Sequence, residues 1–399
     1  MSALAEAVAP SRVGAREIGW AGIALGVVAA FIALPPILLR TAVPSLVLAV
    51  VAVMAGIFAV REKELRLGYG AVVVGVLAGA GAVAATQSGE SSLEAVFVWS
   101  ALVAAMLRFA TPLIFGALGG VICERSGVIN IGLEGMMLMG AFFGIFGADL
   151  TGSWFAGCLI GMAAGGALAL IHAIFSISFQ GDQVVSGTAV NFLAFGITGY
   201  VFIAHYGDQG TPGDVPRAPE LSLPLIEDVS FFGTAIGNAN VLTWIALLLV
   251  PLMTIYLFRT PRGLRLRSVG EKPRAAETVG VRVIPTRYFA VVASGMLAAL
   301  GGAYLTVGLV GSFNELMTDG RGFIALAAVI FGNWRPFGAL AAALLFGFSS
   351  ALAQRLPEFS ESTAVLFQAL PYVLTLIVVA GVVGRSRPPA SVGIPYVKE

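Results

Sequence analysis

The feature that most limits the fold of this chain is a series of apolar runs of about twenty residues, separated by short polar turns. A helix of that length rises about 30 Å, the thickness of the hydrocarbon core of a bilayer. A transmembrane β-barrel would instead show alternating segments of about ten residues. With 58% hydrophobic and 11% charged residues, the chain also falls far below the roughly 25% charge of a soluble domain. The sequence therefore predicts an all-α polytopic membrane protein.

The runs predict about 10–12 transmembrane segments, of which some are short enough to be broken or re-entrant. Residues 1–90 hold extra N-terminal segments, and we expect an uncleaved first helix there because a further span follows almost at once. Residues 91–388 form the core, which includes a large polar loop at 205–239. Residues 389–399 form a tail.

A basic segment determines the predicted orientation. The stretch from Arg259 to Arg287 carries eight Lys and Arg residues against two acids, and such short loops stay on the cytoplasmic side because they are translocated poorly. The loop at 205–239 carries five acids and Arg217 as its one basic residue, so we expect it outside. With these assignments both termini are cytoplasmic.

Inside the basic loop, residues 272–280 have the punctuation of a short helix, with Pro273 near its first position and Gly280 at its end. Two interpretations are open. The segment is either a solvated loop helix that only reflects the cytoplasmic bias of basic residues, or a docking element for a cytoplasmic partner.

Two stretches show a broken pattern that is typical of transport pathways. In 95–149, Thr111-Pro112 and the polar turn at 124–127 interrupt the apolar sequence, and in 310–356 a piece of about eleven residues at 323–333 is too short to span. Corresponding breaks in two halves are the pattern of transporters with internal repeats. We therefore predict a weak internal repeat, although glycine-rich apolar segments also resemble one another by composition alone.

Three motifs resemble one family of transport proteins. Thr111–Ile114 with Glu124–Met137, then residues 269–280, then 320–327 are similar, in this order, to permease subunits of bacterial ABC importers for nucleosides and simple sugars. The resemblance covers roughly residues 95–385. The segment at 124–137 looks closer to the nucleoside-importing branch, so nucleosides are the expected substrates and simple sugars the alternative.

The resemblance implies a subunit that does not hydrolyse ATP itself. Its expected partners are a second homologous permease, a cytoplasmic ATP-binding subunit and an extracytoplasmic substrate-binding lipoprotein, all at the bacterial cytoplasmic (inner) membrane. The sequence agrees, because a phosphate-binding loop needs Gly-Lys-Ser/Thr and none of Lys63, Lys272 and Lys398 follows a glycine. We therefore expect no enzymatic activity and no cofactor in this chain, with ATP bound by the partner.

Composition argues against two other classes of ligand. The formal net charge of +1 suggests no nucleic-acid partner, and two histidines with two cysteines in apolar surroundings suggest no metal site. The alternative function is an ion-coupled secondary transporter, which needs ionisable groups in mid-membrane. Its clear candidates are Arg108, Glu134 and His172.

The candidate site residues fall into two groups. Asn130 and Glu134 are four apart on one helical face, and neutral hydrogen-bonding groups suit the hydroxyls and ring nitrogens of a nucleoside or sugar. Both residues could instead cap and lock the break. The full set of pathway candidates is Arg108, Asn130, Glu134, Asn191 and Asn314. The candidates for coupling to the ATPase, which the resemblance implies, are Glu271, Pro273, Arg274, Ala275, Ala276, Glu277 and Gly280.

Overall fold

The predicted fold class is confirmed. The structure, a computed structural model, describes residues 14–33, 43–87, 99–207, 210–222, 236–355 and 387–397. Eight helices in these ranges are long and apolar enough to cross a membrane, and β-structure in the same ranges is one short antiparallel pair. The last predicted span, near 365–384, lies outside the described residues.

The helices of the described chain form two compact units. The first unit contains α1 (Ala15–Ala33), α2 (Val43–Arg61) and α3 (Leu65–Gln87). These three helices pack on one another through small residues, so that a Cβ on Gly56 would lie 2.7 Å from the backbone nitrogen of Val72. This is the close approach that glycine permits between membrane helices.

The second unit contains residues 100–352 and 385–399. Two of its helices, α6 (Trp154–Ala173) and α11 (Val283–Ala303), continue as π-helical turns at Ile174–Ser178 and Tyr304–Val310. Its elements are α4 (Trp99–Glu124), α5 (Leu133–Thr151), α6 (Trp154–Ala173), α7 (Gln183–Tyr206), β1 (Glu220–Ser222), β2 (Asn238–Asn240), α8 (Val241–Arg259), α9 (Pro261–Glu271), α10 (Pro273–Thr278), α11 (Val283–Ala303), α12 (Arg321–Phe331) and α13 (Pro336–Arg355).

The centre of this unit is a layer of three helices, α5, α6 and α11, whose backbones touch. A Cβ on Gly161 of α6 would lie 2.9 Å from the carbonyl oxygen of Gly140 on α5, and one on Gly302 of α11 would overlap the carbonyl oxygen of Met137. Glycine at these places lets the helices approach without an intervening side chain. The layer therefore places polar groups of α5 and α11 within hydrogen-bonding distance of each other.

One predicted break is wrong. Helix α4 continues through Pro112 from Trp99 to Glu124, although proline removes a backbone donor from the helix. In this turn, the hydroxyl of buried Thr111 donates to the carbonyl of Leu107 at 2.7 Å and lies 3.1 Å from the hydroxyl of Thr243 on α8.

The interruption lies at 125–132, between α4 and α5, where the sequence predicts the polar turn at 124–127. A turn at 332–335 likewise separates α12 from α13. Both halves of the predicted repeat therefore place a long helix after a polar turn. They differ before the turn, because α4 has 26 residues and α12 has 11.

We predict that Gly302→Ala destabilises the protein by about 2–3 kcal/mol, since the new methyl group would overlap the backbone of α5. The matched control is Gly196→Ala on α7, where nothing lies within 4 Å of the added Cβ. There we expect the melting temperature to be unchanged or slightly raised, because alanine favours a helix over glycine. Thermal unfolding of the purified proteins in detergent measures both, and equal melting temperatures would contradict the close packing.

Candidate functional site

The segment from Arg125 to Gly132, which we call the break, is a mostly buried, non-helical stretch between α4 and α5. Its backbone groups need partners because most of them are buried away from water. Gln183, at the start of α7, accepts from the amide of Ile129 at 2.7 Å. His172 of α6 lies 3.0 Å from the carbonyl of Ile129 through Nε2 and 3.0 Å from the hydroxyl of Ser186 through Nδ1. Since a carbonyl only accepts, Nε2 carries the proton and Nδ1 accepts from the serine.

Helix α5 begins without a capping side chain of its own, because Gly132 occupies its N-cap position. Asn191 of α7 supplies the missing group, since its Oδ1 accepts from the amide of Gly135 at 2.8 Å. Its Nδ2 also donates to the carbonyl of Ile131 at 3.1 Å. One amide therefore satisfies both the last residues of the break and the first turn of the helix.

Glu134, in the first turn of α5, holds the start of the short helix α12. Its two carboxylate oxygens accept from the amides of Gly320 at 2.9 Å and Gly322 at 2.6 Å. Gly322 permits this approach, because a Cβ there would overlap the backbone of Glu134. A carboxylate at a helix N-terminus is favoured by the helix dipole and by charge-assisted hydrogen bonds. Glu134 thus joins α5 to α12.

Two side-chain amides, that of Asn130 within the break and that of Gln183 at the start of α7, each retain an unpaired atom. Asn130 is fully buried and donates from Nδ2 to the hydroxyl of Ser294 on α11 at 3.0 Å. Within the described residues its Oδ1 has no hydrogen-bond partner, and neither has Nε2 of the buried Gln183. Unpaired polar groups in a protein interior are costly. Both atoms are buried, so one acceptor and one donor at the break are shielded from solvent in the described structure.

The structure brings three of the five pathway candidates together at the start of α5: Asn130, Glu134 and Asn191. Arg108 lies exposed on α4 and Asn314 lies exposed in the loop before α12, and the hydrogen bonds described here do not join either of them to the break. Sequence reasoning missed Gln183 and Ser294 as members of the cluster. Gln183 could have been found as a polar residue at a helix start, whereas a serine inside an apolar run gives no such signal.

The short helix predicted within the basic loop is confirmed as α10. It begins at Pro273, and Gly280 follows it with a φ of 83°, a left-handed conformation that glycine adopts without strain. Ala276 is buried, whereas Val279 is 79% exposed. Of the other coupling candidates, Glu271, Arg274, Ala275 and Gly280 are exposed, and Pro273 and Glu277 are half-buried.

The end of α4 is tied to the turn that follows α12. Glu124 accepts from the indole nitrogen of Trp334, and the guanidinium of Arg125 donates from Nε to the Trp334 carbonyl at 2.9 Å. Arg125 also lies over the ring of Phe258, with 5.8 Å between the guanidinium carbon and the ring centroid. Burial lowers the pKa of Arg125, but an arginine starts so high that it stays charged. These contacts hold one end of the break in place.

A family assignment follows from comparison with known proteins. Residues 102–379 match the family model described as "Branched-chain amino acid transport system / permease component". The chain belongs to this family. The match includes the break, α10 and α12, whereas α1, α2 and α3 precede it. The chain is therefore a transport subunit and a multi-pass membrane protein.

Individual relatives cover the same part of the chain. The guanosine ABC transporter permease protein NupQ of Bacillus subtilis is 41% identical over 317 residues, which are 77% of this chain and 99% of that protein. The nucleoside ABC transporter permease protein NupC of Lactococcus lactis is 37% identical over 74% of this chain and 96% of its own length. A third relative, the putative glucose ABC transporter permease protein TsgC13 of Haloferax volcanii, is 37% identical over 65% of this chain and 78% of its own length. No solved structure matches the chain.

We predict that Glu134→Ala lowers stability by about 2–4 kcal/mol, because it removes the anionic acceptor of two buried amides. Glu134→Gln keeps one acceptor oxygen and should lose less. The exposed Asn314→Ala serves as the control and should melt like the unmodified protein. Unfolding in detergent gives the order of the three variants, and an Ala variant as stable as the control would refute the role of Glu134 in holding α12.

Proposed function

We propose that this chain is the permease subunit of an ATP-driven importer and that it forms the translocation pathway for nucleosides. The observation that carries the proposal is the similarity to NupQ and NupC, two relatives named for guanosine and nucleoside transport, over 96% or more of their length. The putative glucose permease TsgC13 is as similar in sequence as NupC, at 37% identity, but the match covers 78% of its length. Simple sugars therefore remain the second candidate class of substrate.

The chemistry of the break supports a neutral, hydrogen-bonding substrate. Asn130 lies in the break, and the side chains of Gln183 and Asn191 bond to its backbone. These are neutral hydrogen-bonding groups, of the kind that pairs with the hydroxyls and ring nitrogens of a nucleoside. Few such groups suffice, because a pathway must release its substrate as well as admit it. A separate binding protein would supply the selectivity.

The remaining parts of the proposed importer are partner subunits. α10 is the proposed docking helix for a cytoplasmic ATP-binding subunit, which binds and hydrolyses the ATP. A second homologous permease completes the pathway, and an extracytoplasmic lipoprotein delivers the substrate. We place the complex in the bacterial cytoplasmic membrane with both termini of this chain in the cytoplasm, because the loop that contains α10 is strongly basic.

Ion-coupled transport fits the site less well. A coupling ion needs a carboxylate or imidazole that can bind it, but Glu134 accepts from two backbone amides and His172 bonds to Ile129 and Ser186. Both of these candidates therefore have structural partners in the described part of the chain. This observation favours an external source of energy.

The first test is nucleoside uptake by the complete complex in liposomes. We expect uptake of radiolabelled guanosine that requires ATP, continues after an ionophore collapses ion gradients, and is competed by other nucleosides but not by glucose. Uptake that stops with the ionophore and ignores ATP would establish the ion-coupled alternative. Calorimetry on the isolated binding protein provides the control for substrate, since tight binding of a sugar without any heat from nucleosides would overturn the nucleoside assignment alone.

The second test concerns docking at α10. Val279→Asp places a charge on the exposed apolar side chain that directly follows α10. This substitution should weaken retention of the ATP-binding subunit about tenfold. Val279→Leu is the matched control and should retain it. Ala276→Asp and Gly280→Trp are poorer probes, because Ala276 is buried and Gly280 has a positive φ. Equal co-purification of the ATPase with both Val279 variants would exclude α10 as the docking helix.

A further inference from the structure

The C-terminal tail, residues 387–397, is bonded to two functional parts of the second unit. The amide of Ser391 donates to the carbonyl of Gly270, at the end of α9, at 2.9 Å. Two residues later, the amide of Gly393 donates to the carbonyl of Gly127, in the break, at 3.2 Å. The tail therefore connects the helix that leads into α10 with the segment that carries Asn130.

Backbones meet directly at this junction. A Cβ on Gly270 would overlap the carbonyl of Arg125, and a Cβ on Gly127 would lie 3.3 Å from the carbonyl oxygen of Ser391 and 3.4 Å from Cα of Gly270. Gly127 also has a φ of 94°, which other residues rarely adopt. The backbones of α9, the break and the tail contact one another there, with Nη2 of Arg287 beside Gly127, so a displacement of one is transferred to the others.

Tyr396 anchors the end of the tail to α10. Its ring is buried in a small cluster with Val269 of α9, Ala276 of α10 and Val283 of α11. Its hydroxyl donates to the carboxylate of Glu277, and this hydrogen bond raises the pKa of Tyr396. The tyrosine therefore remains a protonated donor at neutral pH. Through this one side chain the tail contacts the proposed docking helix by both packing and a hydrogen bond.

Arg287 of α11 fixes the same stretch of tail from the other side. It is 1% exposed, donates from Nη1 to the carbonyl of Ile394 at 3.1 Å, and lies 5.9 Å from the ring centroid of Tyr396. Its Nε and Nη2 have no hydrogen-bond partner in the described part of the chain. A buried cation is costly without partners, and here the tail supplies a carbonyl and an aromatic face.

We propose that the tail is a positioning element of the importer, in which Tyr396 and Arg287 carry movement of α10 to the break at 125–132. The inference rests on the proposed function, since it assumes that α10 contacts the ATP-binding subunit. ATP-driven displacement of α10 moves the ring of Tyr396 through Ala276 and Glu277. The tail then moves the break through its hydrogen bond to Gly127.

The experiment compares Tyr396→Phe with the unmodified complex in liposomes. The substitution keeps the ring and removes the hydroxyl that bonds to Glu277. We expect the ATP-binding subunit to remain bound and ATP to be hydrolysed, while guanosine imported per ATP falls about threefold or more. Tyr200→Phe removes a hydroxyl from a tyrosine that is 76% exposed on α7, and this control should keep the normal ratio.

Two further measurements distinguish transmission from a general structural defect. A complex that carries both Glu277→Ala and Tyr396→Phe should import no less guanosine per ATP than one that carries Glu277→Ala alone. Both substitutions remove the same hydrogen bond, so their effects should not add. Tyr396→Ala also removes the ring, and hydrogen exchange should then show lost protection at the amides of Ser391 and Gly393, with a lower ratio than Tyr396→Phe.

An unchanged ratio in Tyr396→Phe and Tyr396→Ala, with the complex intact, would overturn the proposal. Loss of the ATP-binding subunit from Tyr396→Phe would also overturn it, because the tail would then maintain the docking surface without transmitting movement. The proposed function fails separately, if the unmodified complex itself shows no ATP-dependent uptake.

Discussion

Buried backbone that is not helical has to find its hydrogen bonds inside the protein, and this requirement governs the arrangement around 125–132. Buried groups are out of reach of water, and the partners come from α6 and α7. Gln183 and His172 bond the two sides of Ile129, and Asn191 bonds Ile131. The break exists as an ordered segment because three side chains from elsewhere in the sequence meet its backbone.

Other elements depend on that segment. Asn191 caps α5, and α5 in turn presents Glu134 to the amides that begin α12. The short helix is therefore held by a helix that is itself held by the break. Glycine contacts between α5, α6 and α11 make these bonds feasible, since they bring Ser294 of α11 to within 3.0 Å of Asn130. Close packing and polar pairing support each other, as they commonly do between membrane helices.

The functional proposals draw on different kinds of observation. Family membership rests on the match over residues 102–379, and the substrate class is taken from the names of two relatives. The proposal about the tail rests on geometry alone, because it is argued from the contacts of Tyr396 and Arg287. In this arrangement the break, the proposed docking helix and the tail belong to one compact unit. Movement at α10 then has a continuous route of packed atoms to the pathway.

The sequence by itself determined the fold class and the short helix α10. Long apolar runs have one stable form in a bilayer, and Pro273 and Gly280 end a helix through local backbone constraints that need no partner. It also singled out Asn130, Glu134 and Asn191, since polar residues are conspicuous among apolar ones.

Tertiary structure decided what those residues bond to and where the chain is interrupted. Pro112 looked like a break, but α4 continues through it, and a proline in a sequence gives no information about the helices that pack around it. Gln183 and Ser294 became part of the site, and Arg108 and Asn314 did not join it, because hydrogen bonds between residues distant in sequence depend on helix packing. The contacts of Tyr396 were likewise decided by the tertiary structure, since a tyrosine in a sequence does not indicate which residues it will contact.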